Sequence, residues 1–218
     1  MTGRGSRAPD LPEGAVPRLA DTARWIGAWL HRPAFRVRVS GRERVPRTGP
    51  VVLVANHSSL LEPQLIYGML PRRSVFLVKE ELFRGVAGRL LRGIGQLPIR
   101  RGEADRAPLM AAVRVLRGGG LVGVFPEGTR GTGDVAAAEQ GAAWLVRTSG
   151  AVVLPVATRG TRRPEGSRRR FRPVVDMLVG EPFALEVGRG RTGLEEATEQ
   201  IRVRLAGLVH ELDEKRRA

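Results

Sequence analysis

The chain has 218 residues, a length that suits one domain with a sizeable hydrophobic core. Its formal net charge of +15 has two candidate origins: the arginine-favouring codons of a GC-rich genome, or an anionic partner such as a membrane or nucleic acid. The absence of cysteine excludes disulfides, thiolate nucleophiles and cysteine-ligated metals, and no run approaches the ~20 apolar residues that span a bilayer.

The N-terminal part, residues 1–33, combines a polar start with an amphipathic helix. Residues 1–16 are rich in glycine, proline and arginine, which predicts disorder, and they lack the apolar core of a signal peptide. The protein is therefore expected to stay on the cytoplasmic side. A helix is predicted from Pro17 to Arg32, with an apolar face of Leu19, Ala23, Ile26 and Leu30 and with Trp29 at its edge. Either this helix lies in a membrane interface, or it covers the body of its own domain.

From residue 34 to residue 218, short apolar runs alternate with helical patterns. The predicted strands are Val51–Ala55, Val75–Val78, Leu121–Phe125, Val152–Ala157 and Val174–Val179. The predicted helices are Glu62–Leu70, Glu81–Arg92, Arg106–Arg117, Gln140–Thr148 and a last one that starts with the capping box Thr192-x-x-Glu195. This alternation predicts a single α/β domain with a largely parallel sheet covered by helices.

One segment, residues 159–172, is unusually basic. It contains seven arginines and a single acid, Glu165, and its proline and glycine predict a loop. Such a run is either a solvated loop or a binding site for anions, chiefly phospholipid headgroups.

Two polar segments follow predicted strands, where α/β folds place their sites. The first contains His57, a potential base, and Glu62 five residues later. On a continuous helix this spacing separates two side chains by about 140°. Pro63 disfavours helical geometry at Glu62 and suits the first helical position itself, so a loop is expected to fold Glu62 back towards His57. There the carboxylate would fix the imidazole tautomer, as in a catalytic pair. A histidine that is hydrogen-bonded to a carboxylate for structural reasons alone would show the same two residues at the same spacing.

The second segment, Phe125 to Arg130, extends the pattern, and the two together resemble the glycerolipid acyltransferases, a family that includes the 1-acylglycerol-3-phosphate acyltransferases. Their motif N-H-x-S-x-x-D is similar to Asn56–Glu62, and F-P-E-G-T-R-S is similar to Phe125–Arg130 with Gly131. Weaker motifs fall at Phe76–Leu82 with Gly95–Arg101, and at Val153–Val156. All four occur in the family's order, over roughly residues 36–180.

The resemblance implies a role for each matching residue. His57 and Glu62 form the catalytic pair, with His57 as the general base on the acceptor hydroxyl. The acceptor's phosphate site is implied at Glu127, Gly128, Thr129, Arg130, Arg101 and Lys79. Direct attack on the thioester is expected, because the chain has neither a cysteine nor a G-x-S-x-G elbow for an acyl-enzyme.

Three positions depart from the family pattern. Glu62 replaces the usual Asp, Gly131 replaces the usual Ser, and Ala138–Gly141 stands where F-K-x-G often occurs, with an acid in place of the lysine. These departures bear on the identity of the acceptor and, less strongly, on activity itself.

The implied function is the transfer of a fatty acyl chain from acyl-CoA or acyl carrier protein to 1-acylglycerol-3-phosphate, which yields phosphatidate for phospholipid biosynthesis. No cofactor or metal is expected. The expected partners are an anionic membrane surface, bound peripherally from the cytoplasmic side, and a lysophospholipid, with no specific nucleic acid.

Two alternatives remain at this point. The same chemistry could act on another lysolipid or a glycolipid, or the chain could be a catalytically silent, basic lipid- or nucleic-acid-binding protein. An aromatic content of 5% argues against base stacking on single strands.

Overall fold

The computed structural model describes residues 10–100, 106–127, 132–162, 166 and 171–218. The strands within these ranges are β1 Arg36–Ser40, β2 Val51–Ala55, β3 Val75–Lys79, β4 Leu97–Ile99, β5 Leu121–Val124, β6 Val152–Arg159 and β7 Val174–Val179. The helices are α1 Pro17–Leu30, α2 Leu61–Met69, α3 Gly85–Gly93, α4 Arg106–Arg117, α5 Gly141–Ser149 and α6 Gly190–Arg217.

The strands form one seven-stranded sheet in the order β1-β7-β6-β2-β5-β3-β4. All neighbouring pairs are parallel except β6 and β7, which are antiparallel. The predicted α/β class with a largely parallel sheet is therefore confirmed. Strand β2 lies at the centre, where Val51 pairs with Leu121 of β5 and with Val152 of β6. Its five residues are all buried, as expected for a parallel strand covered on both faces.

Side chains of β2 alternate between two hydrophobic clusters, one on each face of the sheet. Val52 and Val54 pack in the cluster that contains residues of α4, α5 and α6. Val51 and Leu53 pack on the opposite face with α2, through residues such as Ile66. The sheet is thus the middle of three layers, and the carboxyl ends of its central strands open along one edge.

Two strands were not predicted, and one predicted helix is divided. Strand β1 alternates arginine with valine at the sheet edge, and β4 has only three residues, one of them Pro98. The predicted helix Glu81–Arg92 is confirmed from Gly85 on by α3, but its start is wrong, since residues Glu80–Phe83 form a separate 3-10 helix. Arg84 between them is extended, and Gly85 has a φ of 58°, so the chain turns there.

The predicted start of the last helix is also wrong. Helix α6 begins at Gly190, after Arg189 at the N-cap, and no side chain caps it. Thr192 is already inside the first turn, and Glu195 accepts a hydrogen bond from Arg191 at 2.7 Å. An i,i+4 ion pair therefore replaces the expected capping box.

Disorder was predicted for residues 1–16, and this is wrong for residues 10–16. Leu11 is buried, and the Val16 amide donates to the Gly93 carbonyl at 2.8 Å. This bond ties the start of α1 to the end of α3. Residues 1–9 lie outside the described residues.

Helix α1 packs on α2 through small residues. The Tyr67 hydroxyl donates to the Ala20 carbonyl at 3.0 Å, and a Cβ on Gly68 would lie 2.5 Å from the carbonyl carbon of Gly27. Ile26 and Leu30, two residues of the predicted apolar face, are exposed, so this part of the face does not cover the domain. Over the described part of the chain, no helix is both long enough and apolar enough to cross a membrane.

Candidate active site

The site lies where β2, β5 and β6 end, and a buried asparagine joins two of these ends. Asn56 directly follows β2, and its Oδ1 accepts from the Thr158 amide of β6 at 2.8 Å. Its Nδ2 donates to the carbonyls of Thr158 and Gly133 at 3.0 and 3.1 Å. These bonds fix the backbone just ahead of His57 against β6.

His57 and Glu62 meet in this buried region. The distance from His57 Nδ1 to Glu62 Oε2 is 2.9 Å, and the two residues are 5% and 0% exposed. Phe125, which follows β5, stacks on the imidazole with ring centroids 4.4 Å apart. The ring is therefore held on one face by an aromatic group and at Nδ1 by a carboxylate.

The local geometry around Glu62 differs from the predicted one. Helix α2 begins at Leu61, so Glu62 lies in its first turn and Pro63 is not its first residue. Proline is tolerated there because the N–H groups of the first turn have no partner within the helix. Glu62 Oε2 accepts hydrogen bonds from the amides of Ser58 and Ser59 at 2.8 and 3.0 Å. The loop thus wraps around the carboxylate, which brings His57 to it.

The second oxygen of Glu62 has partners of its own. Oε1 accepts from the hydroxyl of Thr161, just after β6, at 2.7 Å and also from the hydroxyl of Ser58. Burial alone raises the pKa of Glu62, but hydrogen bonds from His57, Ser58, Ser59 and Thr161 outweigh it, and the pKa lies below its ordinary value. The carboxylate is therefore ionised at neutral pH despite being buried.

Glu127 supports the same loop from the end of β5. Its Oε1 accepts the backbone N–H of His57 at 2.8 Å. Burial raises the pKa of Glu127, although the bond from His57 opposes this. The resemblance placed Glu127 in the substrate site, whereas the described contact is with the backbone of the histidine.

Of the remaining predicted site residues, Lys79 is within the described part of the chain. Lys79 ends β3, is half exposed, and lies 3.7 Å from Glu81 in an ion pair. Arg101, Gly128, Thr129 and Arg130 lie outside the described residues.

Arg159 opens the basic segment but is not available to an anion. Its Nε and Nη2 donate to the two oxygens of Asp213 at 2.8 and 2.9 Å, and Nη2 also donates to Asp134 at 2.6 Å. Its Nη1 donates to the Gly133 carbonyl at 3.0 Å, so Arg159 is a structural link between α6 and the segment beside Asn56. Arg163 and residues 167–170 of the predicted basic loop lie outside the described residues.

Sequence reasoning assigned no role to Asn56 or Thr161. Asn56 was part of a motif and carried a usable signal, since a buried polar residue directly after a core strand needs partners. Thr161 had no signal, because it contacts Glu62 across a sequence separation of 99 residues.

A histidine held by an ionised carboxylate, at the ends of the central strands of an α/β sheet, is an arrangement that general base catalysis of hydroxyl reactions uses. A family model described as Acyltransferase matches residues 36–159, which is more than half of the chain. The chain belongs to this acyltransferase family, and it is an acyltransferase enzyme.

Relatives and a solved structure agree with this assignment. The 1-acyl-sn-glycerol-3-phosphate acyltransferase of Bacillus subtilis is 28% identical over 186 residues, which cover 82% of this chain and 90% of that protein. The human beta enzyme of the same name is 32% identical over 142 residues, which cover 63% of this chain and 51% of that protein. The crystal structure of the 1-acyl-sn-glycerophosphate acyltransferase of Thermotoga maritima aligns with a TM-score of 0.67 and 28% identity, over 90% of this chain and 78% of that one.

The extent of these matches varies. The chain spans most of the Bacillus protein, but only about half of the human enzyme and 55% of the Borreliella burgdorferi relative, which carries the same enzyme name. The family-model match, residues 36–159, contains strands β1 to β6 and the His57–Glu62 pair.

Proposed function

We propose that the chain transfers a fatty acyl group from a thioester to the free hydroxyl of 1-acylglycerol-3-phosphate, which makes phosphatidate. The observation that carries the proposal is the contact of 2.9 Å between His57 Nδ1 and the buried Glu62 carboxylate. The names of the relatives support the choice of acceptor. The proposed donor is acyl-CoA or acyl carrier protein.

In the proposed mechanism, Glu62 holds the proton of His57 on Nδ1, which leaves Nε2 as the basic nitrogen. Nε2 takes the hydroxyl proton as the acceptor oxygen attacks the thioester carbonyl. The new C–O ester bond forms, the C–S bond breaks, and the imidazolium returns its proton to the departing thiolate. Glu62 stabilises the imidazolium between these two transfers, and the proposed steps use no metal or cofactor.

The proposed acceptor site places the phosphate near this base. Arg130 is the principal cation, because a guanidinium binds a phosphate through two parallel hydrogen bonds. Arg101 and Lys79 are proposed as further contacts, and Gly128 and Thr129 as further residues of the acceptor site. Glu127 immediately precedes Gly128 in the sequence, and its bond to the His57 amide supports a position of the acceptor site beside the base.

We also propose that the protein binds peripherally to an anionic membrane from the cytoplasmic side. We divide the chain into an N-terminal part, residues 1–33, and an acyltransferase domain, residues 34–218, and we propose that the N-terminal part contacts the membrane. Trp25 is 66% exposed on α1, beside exposed Trp29. Val86 and Leu90 are also exposed, four residues apart on one side of α3. The start of α1 is bonded to the end of α3, through the Val16 amide and the Gly93 carbonyl. Apolar side chains on a protein with net charge +15 suit an anionic bilayer.

A thioester-release assay with a panel of acceptors tests the proposed reaction. The purified full chain is supplied with oleoyl-CoA or oleoyl acyl carrier protein, and with 1-oleoylglycerol-3-phosphate, lysophosphatidylcholine or a glycolipid. We expect thiol release and phosphatidate formation with the first acceptor. Preference for a different acceptor would replace the proposed substrate and keep the chemistry. No transfer to any acceptor with either donor would overturn the proposal.

A further inference from the structure

The two oxygens of the Glu62 carboxylate have separate sets of partners. Oε2 accepts from His57 Nδ1 and from two backbone amides, at 2.8 to 3.0 Å. Oε1 accepts from two hydroxyls instead, that of Thr161 at 2.7 Å and that of Ser58. Each hydroxyl has one hydrogen, so both hydrogens are used when both hydroxyls donate to Oε1.

Thr161 differs from the other partners in where it comes from. Ser58 belongs to the same loop as His57 and moves with it. Thr161 lies two residues beyond the end of β6, so its hydroxyl links Glu62 to a different part of the sheet. The Thr158 amide, three residues earlier, holds Asn56 at 2.8 Å, so the chain around Thr161 is itself fixed against the β2 end.

We propose that Thr161 is a positioning residue of the acyltransferase: its hydroxyl holds Glu62 Oε1 so that Oε2 stays aligned with His57 Nδ1. The inference rests on the proposed function, in which His57 is the base. Without the Thr161 bond, the carboxylate can rotate about its last torsion, which is broad for a glutamate. The imidazole then loses part of its orientation while the acceptor site is unchanged.

The arrangement is matched to the length of glutamate. Aspartate is shorter by one methylene, about 1.5 Å, so with the loop unmoved its carboxylate is expected to fall short of either Thr161 or His57. In a Glu62→Asp protein, the Thr161 hydroxyl is therefore expected to be uncoupled from the base. The effects of substitutions at Thr161 and Glu62 on kcat should therefore not be additive, and a double-mutant cycle measures this coupling.

The test combines single and double substitutions in the full chain. Thr161→Val removes the hydroxyl and keeps the shape, and we expect kcat to fall by about tenfold with little change in the KM for 1-oleoylglycerol-3-phosphate. Thr161→Ser retains the donor and is expected to stay within about threefold of the unsubstituted protein. In the Glu62→Asp background, Thr161→Val is expected to change kcat by less than about twofold. Thr198→Val is the matched control, because the Thr198 hydroxyl bonds only within α6, to the Leu194 carbonyl at 2.7 Å.

The outcomes separate this inference from the proposed function. Equal effects of Thr161→Val in the unsubstituted protein and in the Glu62→Asp protein would overturn the positioning role, as would a Thr161→Val protein with unchanged kcat. A rise in KM alone, or a lowered thermal midpoint that Thr161→Ser does not rescue, would also overturn it. The proposed function itself fails only if the unsubstituted protein transfers no acyl group.

Discussion

Replacing Glu62 by glutamine should abolish most activity without disrupting the site. The amide oxygen can occupy the Oε2 position and keep its bonds to the Ser58 and Ser59 amides and to His57. The NH₂ group then faces the hydroxyls of Ser58 and Thr161, which can rotate to accept. The substitution thus removes the charge and preserves the hydrogen-bond geometry, and we expect a folded protein.

The size of the effect follows from the 2.9 Å separation of Glu62 Oε2 and His57 Nδ1. At an effective dielectric constant of about 20, an ion pair at such a distance is worth about 6 kcal/mol. The imidazolium is only partly formed in the transition state, so we expect a loss of about 3 kcal/mol, or about 10²-fold in kcat.

Thioester release at saturating acceptor and donor measures this kcat, and thermal unfolding checks the fold. Glu199→Gln is a suitable control, because Glu199 forms an exposed ion pair with Arg202 on α6. The reasoning is refuted if Glu62→Gln retains kcat within about threefold while its unfolding midpoint matches that of the control.

Three further predictions concern the phosphate site, the membrane surface and the stability of the fold. Arg130→Ala should raise the KM for 1-oleoylglycerol-3-phosphate, and Arg130→Lys should restore it poorly, because an ammonium lacks the guanidinium fork; unchanged acceptor kinetics in both would remove the phosphate role. Alanine at both Trp25 and Trp29 should weaken co-sedimentation with anionic liposomes by about tenfold, unlike the control Val203→Ala, and equal binding to neutral vesicles would contradict the electrostatic part. Burial raises the pKa of Glu127 above 4.5, so the folded state binds more protons and stability falls as pH rises through that window. In urea unfolding, Glu127→Gln should therefore gain stability relative to the unsubstituted protein as pH rises above 4.5, and the opposite trend would show that burial does not govern this group.

The sequence predicted the interior of the sheet better than its edges. Strand β2 was predicted at Val51–Ala55 because an unbroken apolar run suits a strand buried on both faces. Strand β1 was missed because its alternating arginines resemble surface chain, although Arg36 pairs with Val174 of β7. Edge strands are stabilised largely by such long-range pairing, which has no local signal.

The approach of Glu62 to His57 was expected, but through the wrong local geometry. Pro63 was expected to disfavour helical geometry at Glu62, whereas α2 begins at Leu61, one residue before Glu62. The contact arises because the Ser58 and Ser59 amides turn towards the carboxylate. Backbone hydrogen bonds of this kind depend on the folded loop and are not specified by residue spacing.

Residue spacing left the role of the apolar face of α1 open between a membrane interface and the body of the domain. In the structure Ile26 and Leu30 of this face are exposed, and Gly27 allows α2 to approach on a different side. A glycine at a helix crossing has no hydrophobic signal, so the orientation of α1 could not be read from the apolar pattern.

The most direct test of the central claim compares two histidine substitutions. His57→Ala should lower phosphatidate formation from 1-oleoylglycerol-3-phosphate by about 10²–10⁴-fold, with an unchanged fold. His210→Ala, in an exposed ion pair with Glu214 on α6, should leave the rate unchanged. A folded His57→Ala protein that transfers acyl groups within a few-fold of the unsubstituted rate would contradict the assignment of His57 as the base.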